Sequence, residues 1–268
     1  MIKNLLDSVH DDFETHKTES HWVADTITPN DINALREQAT EELVWDTSKI
    51  RLTLWEKWLK KEVPLKAFSC EFGRVIVLGS SEPPSCWIRI FRLLKTTQKI
   101  RIIWFASEEK RVAPPVAKQQ GQPIIPTNVN GGYAQKCNPG SIVIFRKEEA
   151  TRVLIHELLH ASCTDPIAYL PQVEADTEAW AEVILVAIAS KGEQHIFDKL
   201  WSIQATYAVK QSASARKFHQ VRTSADYGWR YITGRLDRFK TLGLHLPVEP
   251  KTITHVKSLR LTDERLEP

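Results

Sequence analysis

The chain has 268 residues, 42% hydrophobic and 26% charged, which is ordinary usage for a folded globular protein and argues against global disorder. Its 36 basic and 33 acidic side chains leave a net charge of +3, too weak a field to draw in nucleic acid or an anionic membrane. No run approaches the roughly 18 apolar residues needed to cross a bilayer, and the acidic start (Asp7, Asp11, Asp12, Glu14) lacks the order of a signal peptide, so an intracellular, soluble protein with neither membrane nor nucleic-acid partner is expected.

Residues 1–20 are polar and predict a mobile start. Thr28-Pro29-Asn30-Asp31 reads as a capped helix entry, followed by Ile32, Leu35, Ala39 and Leu43 at near-helical spacing. A second helical segment, Leu52 to Leu59 with Trp55 and Trp58, completes a helical prefix over residues 1–71. The composition changes at Phe72-Gly73, where an α+β domain over residues 72–246 is expected to begin. Arg74 to Leu78 and Ile100 to Phe105 read as buried strands, with a helix between them entered at Pro83-Pro84. Proline and glycine interrupt the stretch from Pro114 to Gly140, which predicts loop with a short extended piece near Ile124-Ile125.

Ser141 to Phe145 reads as a third strand running into a helix whose entry carries the acidic pair Glu148-Glu149. Beyond Pro171 the pattern is helical, over 173–190, 196–208, 212–221 and 225–242. The stretch 247–268 has little periodicity and reads as an arm that wraps the domain or meets a partner. Cys70, Cys86, Cys137 and Cys163 form no Cys-x-x-Cys pair, so reduced thiols are expected, with Cys163 as small apolar filler near His160.

The chemistry concentrates in His156-Glu157-Leu158-Leu159-His160. A four-residue spacing on a helix puts both imidazoles on one face, about one turn apart, able to converge on one cation. Glu157, displaced around the helix, could serve a metal-activated water as general base. Val153, Leu154, Leu158 and Leu159 predict that the triplet is buried. Catalytic zinc takes three protein ligands and a water, and Glu174, Glu178 and Glu182 supply carboxylates at four-residue intervals downstream, among alanines that suit a buried helix. Tyr227, Tyr231 and His219 are candidate donors to a developing oxyanion, and Arg230 a candidate partner for a substrate carboxylate.

These residues resemble the gluzincin metallopeptidases, whose HExxH is followed by a glutamate ligand on a second helix. Thr177-Glu178-Ala179-Trp180-Ala181 looks like the Asn-Glu-Gly-Phe-Ala element of one large aminopeptidase family. The resemblance implies a zincin-like core with a short mixed sheet, motif helix and C-terminal helical half. It also implies Zn2+ held by His156, His160 and Glu178, with Glu174 as runner-up and Glu182 or Asp176 orienting a histidine. The expected activity is hydrolysis of a peptide or protein substrate, with the strand Ile142 to Phe145 either the sheet edge on which it lies or an ordinary core strand. No Gly-Ala-Met-Glu-Asn element precedes the motif, so no exopeptidase class is implied. Asn130-Gly131-Gly132-Tyr133 with the following strand and motif is also similar to uncharacterised metallopeptidase-like proteins of large DNA viruses, which implies host cytoplasm or virion as location. The competing expectation is a non-catalytic zincin-fold assembly or binding protein, such as one of a virus particle, meeting a protein partner through the prefix or the arm.

Overall fold

The structure, a computed structural model, describes residues 1–17, 21–44, 46, 48–95, 98–117, 120–164 and 169–266. Residues 18–20 of the expected mobile start lie outside the described residues. In chain order the first elements are α1 (Ile2–Thr15), β1 (Val23–Asp25), α2 (Pro29–Thr40), α3 (Ile50–Leu59), β2 (Leu65–Cys70), β3 (Gly73–Leu78), α4 (Cys86–Leu94) and β4 (Ile100–Ser107). There follow a small hairpin of β5 (Val116–Ala117) and β6 (Gln120–Gly121), then α5 (Pro126–Val129), β7 (Gly132–Tyr133), β8 (Ile142–Arg146) and α6 (Ala150–Ala161). The rest is helical: α7 (Leu170–Ala189), α8 (Gln194–His219), a π-helical turn at Trp229–Thr233, and α9 (Gly234–Thr241). The fold class is therefore α+β, as expected. Among the described residues, no helix is long and apolar enough to cross a membrane. Internal contacts separate two compact units: a sheet unit of Thr15–Lys110 and Asn130–Thr164, and a helical unit of Met1–Glu14, Arg111–Val129 and Asp165–Pro268.

The sheet unit is built on six strands in the order β1-β2-β3-β4-β8-β7. The central three, β3, β4 and β8, are parallel, and the outer pairings are antiparallel. Parallel strands covered on both faces must be apolar throughout, which is why these three read as continuous hydrophobic runs. Alternate residues on one face (Ile76, Leu78, Ile103, Phe105, Val143, Phe145) pack against Leu35 and Ala39 of α2 and Ile50, Leu54 and Trp55 of α3. The opposite face carries α4 and α6, where the rings of Trp87 and Trp104 lie 5.1 Å apart. The entry of α2 is closed by a capping box between Thr28 and Asp31, as the sequence predicts. Strand β8 is internal, between β4 and β7, so of the two readings of Ile142 to Phe145 the core strand holds and the sheet edge does not; the edge next to it is β7. Burial of all five β8 residues, including Arg146, suits an inner strand.

In the helical unit the start of the chain is a helix and not a mobile tail. Leu6 and Val9 of α1 are buried, and Gly192, at φ +74°, lets the α7–α8 turn approach so closely that a Cβ there would meet the Leu6 carbonyl at 2.3 Å. Residues 194–219 form one helix where the sequence reading has two segments. The C-terminal arm is a strap laid along α8. Ser214 accepts from the Val256 amide at 2.9 Å, Tyr207 donates to the Arg260 carbonyl at 2.9 Å, and Gln204 donates to the Leu261 carbonyl at 2.9 Å. The strap ends in a buried network: Arg235 donates to Glu182 at 3.2 Å, to the Leu261 carbonyl at 2.8 Å and to Gln211 at 3.0 Å, while Thr262 donates to Glu182 at 3.1 Å.

Candidate metal centre

The motif helix α6 follows β8 after a short connection. Glu148 and Glu149 are buried there, and Glu149 takes the N-cap position in the left-handed region (φ 57°) without a side-chain capping bond. The helix is pinned to α4 by a 2.9 Å hydrogen bond from the Trp87 indole to the Thr151 hydroxyl. This fixes the rotation of α6, and with it the face that carries His156, Glu157 and His160. His156 and Glu157 are buried as the flanking leucines predict, and His160 is half-buried. The two Nε2 atoms lie 3.0 Å apart with the rings at 77° to one another. Two imidazole nitrogens facing at that distance must share one proton, or direct two lone pairs at one cation.

Strand β7 comes close to this helix because residue 132 is glycine. A Cβ on Gly132 would stand 2.5 Å from the Val143 carbonyl, 2.8 Å from Val153 Cγ1 and 3.4 Å from Glu157 Cγ. The next residue, Tyr133, anchors the strand from the other side: its hydroxyl donates to Gln38 of α2, and the Arg51 guanidinium lies over its ring at 5.9 Å. The edge strand beside Glu157 is thus held by α2 and α3 of the prefix.

The C-terminal end of α6 is closed by cysteine. Cys163 takes the first position beyond the helix cap, at φ 59°, and donates its amide to the His160 carbonyl at 3.2 Å, with Thr164 donating to the Leu159 carbonyl at 3.3 Å. That is the Schellman closure, where glycine is the usual residue. Cys137, also at positive φ (62°), donates its amide to the same His160 carbonyl at 3.1 Å and forms a disulfide with Cys163. The expectation of four reduced thiols is therefore corrected, and so is the filler role of Cys163, which is exposed. Cys70 and Cys86 take no part in a disulfide.

In the helical unit, α7 carries the three glutamates. Glu182 has no exposed surface and neutralises Arg235, and Asp176 faces Gln172 and Arg238 at 3.1 and 3.5 Å. Glu178 is buried, and Glu174 is half-buried. The π-helical turn, a local widening that recurs at functional sites, carries Tyr231 beside Glu174. Tyr231 and Tyr227 have their hydroxyls 3.1 Å apart, and the Arg230 guanidinium lies 5.2 Å over the Tyr227 ring. Burial, and after it the charge of Glu174, pushes the Tyr231 pKa well above the usual phenol value, so its proton is held firmly. His219 is occupied elsewhere. Its Nδ1 lies 2.9 Å from the Gln122 carbonyl and its Nε2 3.1 Å from Nε2 of His255 on the strap.

No protein-family model matches the chain, and no curated protein and no solved structure is significantly similar to it.

Proposed function

We propose that this protein is a zinc-dependent peptidase whose metal is held by His156, His160 and a glutamate of α7, Glu178 or Glu174. The observation that carries the reading is the pair of Nε2 atoms 3.0 Å apart on a buried helix face, with the carboxylate of Glu157 between them in sequence. Two imidazoles and a carboxylate are the donor set of a catalytic zinc that keeps one position for water. The gluzincin resemblance puts Glu178 in the third place, with Glu174 as runner-up, and both lie on α7.

When bound, zinc polarises the scissile carbonyl and lowers the pKa of a water toward neutrality. Glu157 receives the proton of the attacking water and passes it to the departing amine, which balances the hydrolysis of one peptide bond. Tyr231, which keeps its proton, and Tyr227, hydrogen-bonded to it, act as donors to the oxygen on which negative charge develops. The substrate is an extended peptide or protein segment.

The deciding experiment is elemental analysis of protein purified without added metal, beside Glu174→Ala and Glu178→Ala. About one zinc per chain, lost in Glu174→Ala and kept in Glu178→Ala, supports the zinc site and makes Glu174 the third ligand. The reverse pattern moves the third ligand to Glu178. Zinc without cleavage of any peptide library would favour the non-catalytic binding protein, and no zinc in the parent would end the metal reading.

A further inference from the structure

The strongest chemistry outside the zinc ligands is the disulfide at the end of the motif helix. Three observations set it apart from a purely structural crosslink. First, it converges on a ligand: the amides of both bonded cysteines, Cys137 and Cys163, donate to the carbonyl of His160 itself, at 3.1 and 3.2 Å. Second, both cysteines are exposed residues, within reach of a thiol reductant in solution. Third, both backbones sit in the left-handed region, at φ 62° and 59°. That conformation is unfavourable for cysteine and persists only where the surroundings hold it. Glycine would close this helix end without strain; the chain places there a residue whose side chain can be joined and released.

We propose that Cys137–Cys163 is a thiol–disulfide exchange site for a dithiol reductant, protein or small molecule, and that the state of this bond sets how firmly His160 is held as a metal ligand. The inference rests on the zinc reading for its functional consequence. In the exchange, a thiolate of the dithiol attacks one cysteine sulfur, forming a mixed disulfide and breaking the Cys137–Cys163 bond. The displaced cysteine leaves as thiolate and takes up a proton. The second thiol of the reductant then attacks the mixed disulfide, releases the other cysteine and closes the reductant's own disulfide. Two electrons and two protons pass to the protein. Reduction frees the loop between β7 and β8 from the end of α6. The two amides are then no longer locked onto the His160 carbonyl, and the last turn of the helix, which carries the His160 ring, loosens.

The test uses the full-length protein in three forms: oxidised, reduced by a small dithiol and desalted under argon, and the Cys137→Ser variant. Zinc affinity is read by competition with a chromophoric chelator, and backbone amide exchange is read at positions 137 and 163. Reduced and variant proteins should bind zinc about 10- to 100-fold more weakly than the oxidised form, the range seen when a support behind a metal ligand is lost. Both amides should also exchange faster, and reoxidation should restore the reduced protein but not the variant. Equal zinc affinity in oxidised and reduced protein would overturn the proposal. So would four titratable thiols in protein purified under air. If no form binds zinc, the zinc reading fails by itself, and the exchange rates decide whether the bond governs the His160 carbonyl. Cys163→Ser, which breaks the same bond from the other end, guards against a defect peculiar to one substitution.

Discussion

Two histidine pairs in this protein show nearly the same separation, 3.0 Å between His156 and His160 and 3.1 Å between His219 and His255. Their surroundings differ in every respect that matters. The first pair sits on one buried helix, a turn apart, with a carboxylic acid at the intervening position. The second joins the end of α8 to the strap. There the Nδ1–H of His219 donates to the Gln122 carbonyl, which leaves its Nε2 as acceptor and makes His255 the donor. The neighbours that disfavour a charge on His255 are the His219 ring and Lys257, and Lys217 lies over the neighbouring Phe218 ring. A cation is therefore opposed at the second pair and has carboxylate chemistry at hand at the first. Distance between ring nitrogens does not distinguish a ligand pair from a fastening; the charge around it does.

The largest effect should come from Glu157→Gln, which keeps the two rings and removes the base. Peptide cleavage should fall about 10²- to 10⁴-fold while zinc content is unchanged. Equal loss of zinc in that variant would mean that Glu157 supports the ring pair and is no base. Next is Cys163→Ser. A crosslink spanning 26 residues restricts the unfolded chain by about 3.5 kcal/mol in the loop-closure account, so the urea midpoint of the sheet unit should drop accordingly. A midpoint equal to that of the oxidised parent would show that the bond does not form. His219→Ala should cost about 2 kcal/mol, because it removes a buried ring together with the partner of the Gln122 carbonyl and of His255, and it should leave zinc stoichiometry intact. Zinc loss there would erase the distinction between the pairs.

The smallest effect is one of pH. Burial, with His219 and Lys257 behind it, lowers the His255 pKa from its ordinary 6.5. The folded state then binds fewer protons than the unfolded one, so the attachment of the strap is at full strength above pH 6.5 and weakens as pH falls toward and through the lowered value. Proteolysis within the strap should quicken between neutral and mildly acidic pH, and His255→Gln should flatten that dependence. A parent whose strap is cut no faster at about pH 5 than at about pH 7, under matched protease activity, would contradict it.

The strands β3, β4 and β8 and the helix α6 were legible in the sequence because their signals are local: uninterrupted apolar runs, and a four-residue histidine spacing. β2 was missed because Leu65–Cys70 alternates weakly and is only partly buried, so neither an apolar run nor a clean two-residue period stands out. The two segments expected over 196–221 became one helix through Ser212 and Ser214. These are weak helix formers on their own, stabilised here by burial and by the bond from the Val256 amide. The strap itself hydrogen-bonds largely through backbone carbonyls, which every sequence supplies, so no composition signal marks it. The disulfide was out of reach for a similar reason: pairing between cysteines 26 positions apart is decided by where a loop folds back, not by their spacing. Within the candidate site, the histidines and Glu157 could be read from the chain, while the roles of Gly132 and of the prefix residues Gln38 and Arg51 depend on one strand passing another.

The network around Glu182 has a consequence for the order in which the protein can be made. Every residue of the sheet unit has been synthesised once position 164 is reached, so that unit can close while the remainder is still being translated. The helical unit needs α1 together with the Leu261 carbonyl and the Thr262 hydroxyl, more than two hundred residues later, which complete the partners of Arg235 and Glu182. Until those residues emerge, an ion pair with no access to water lacks part of its hydrogen bonding. The half that carries the histidines should therefore mature early on the ribosome, and the half that carries Glu174 only once residue 262 has left the exit tunnel.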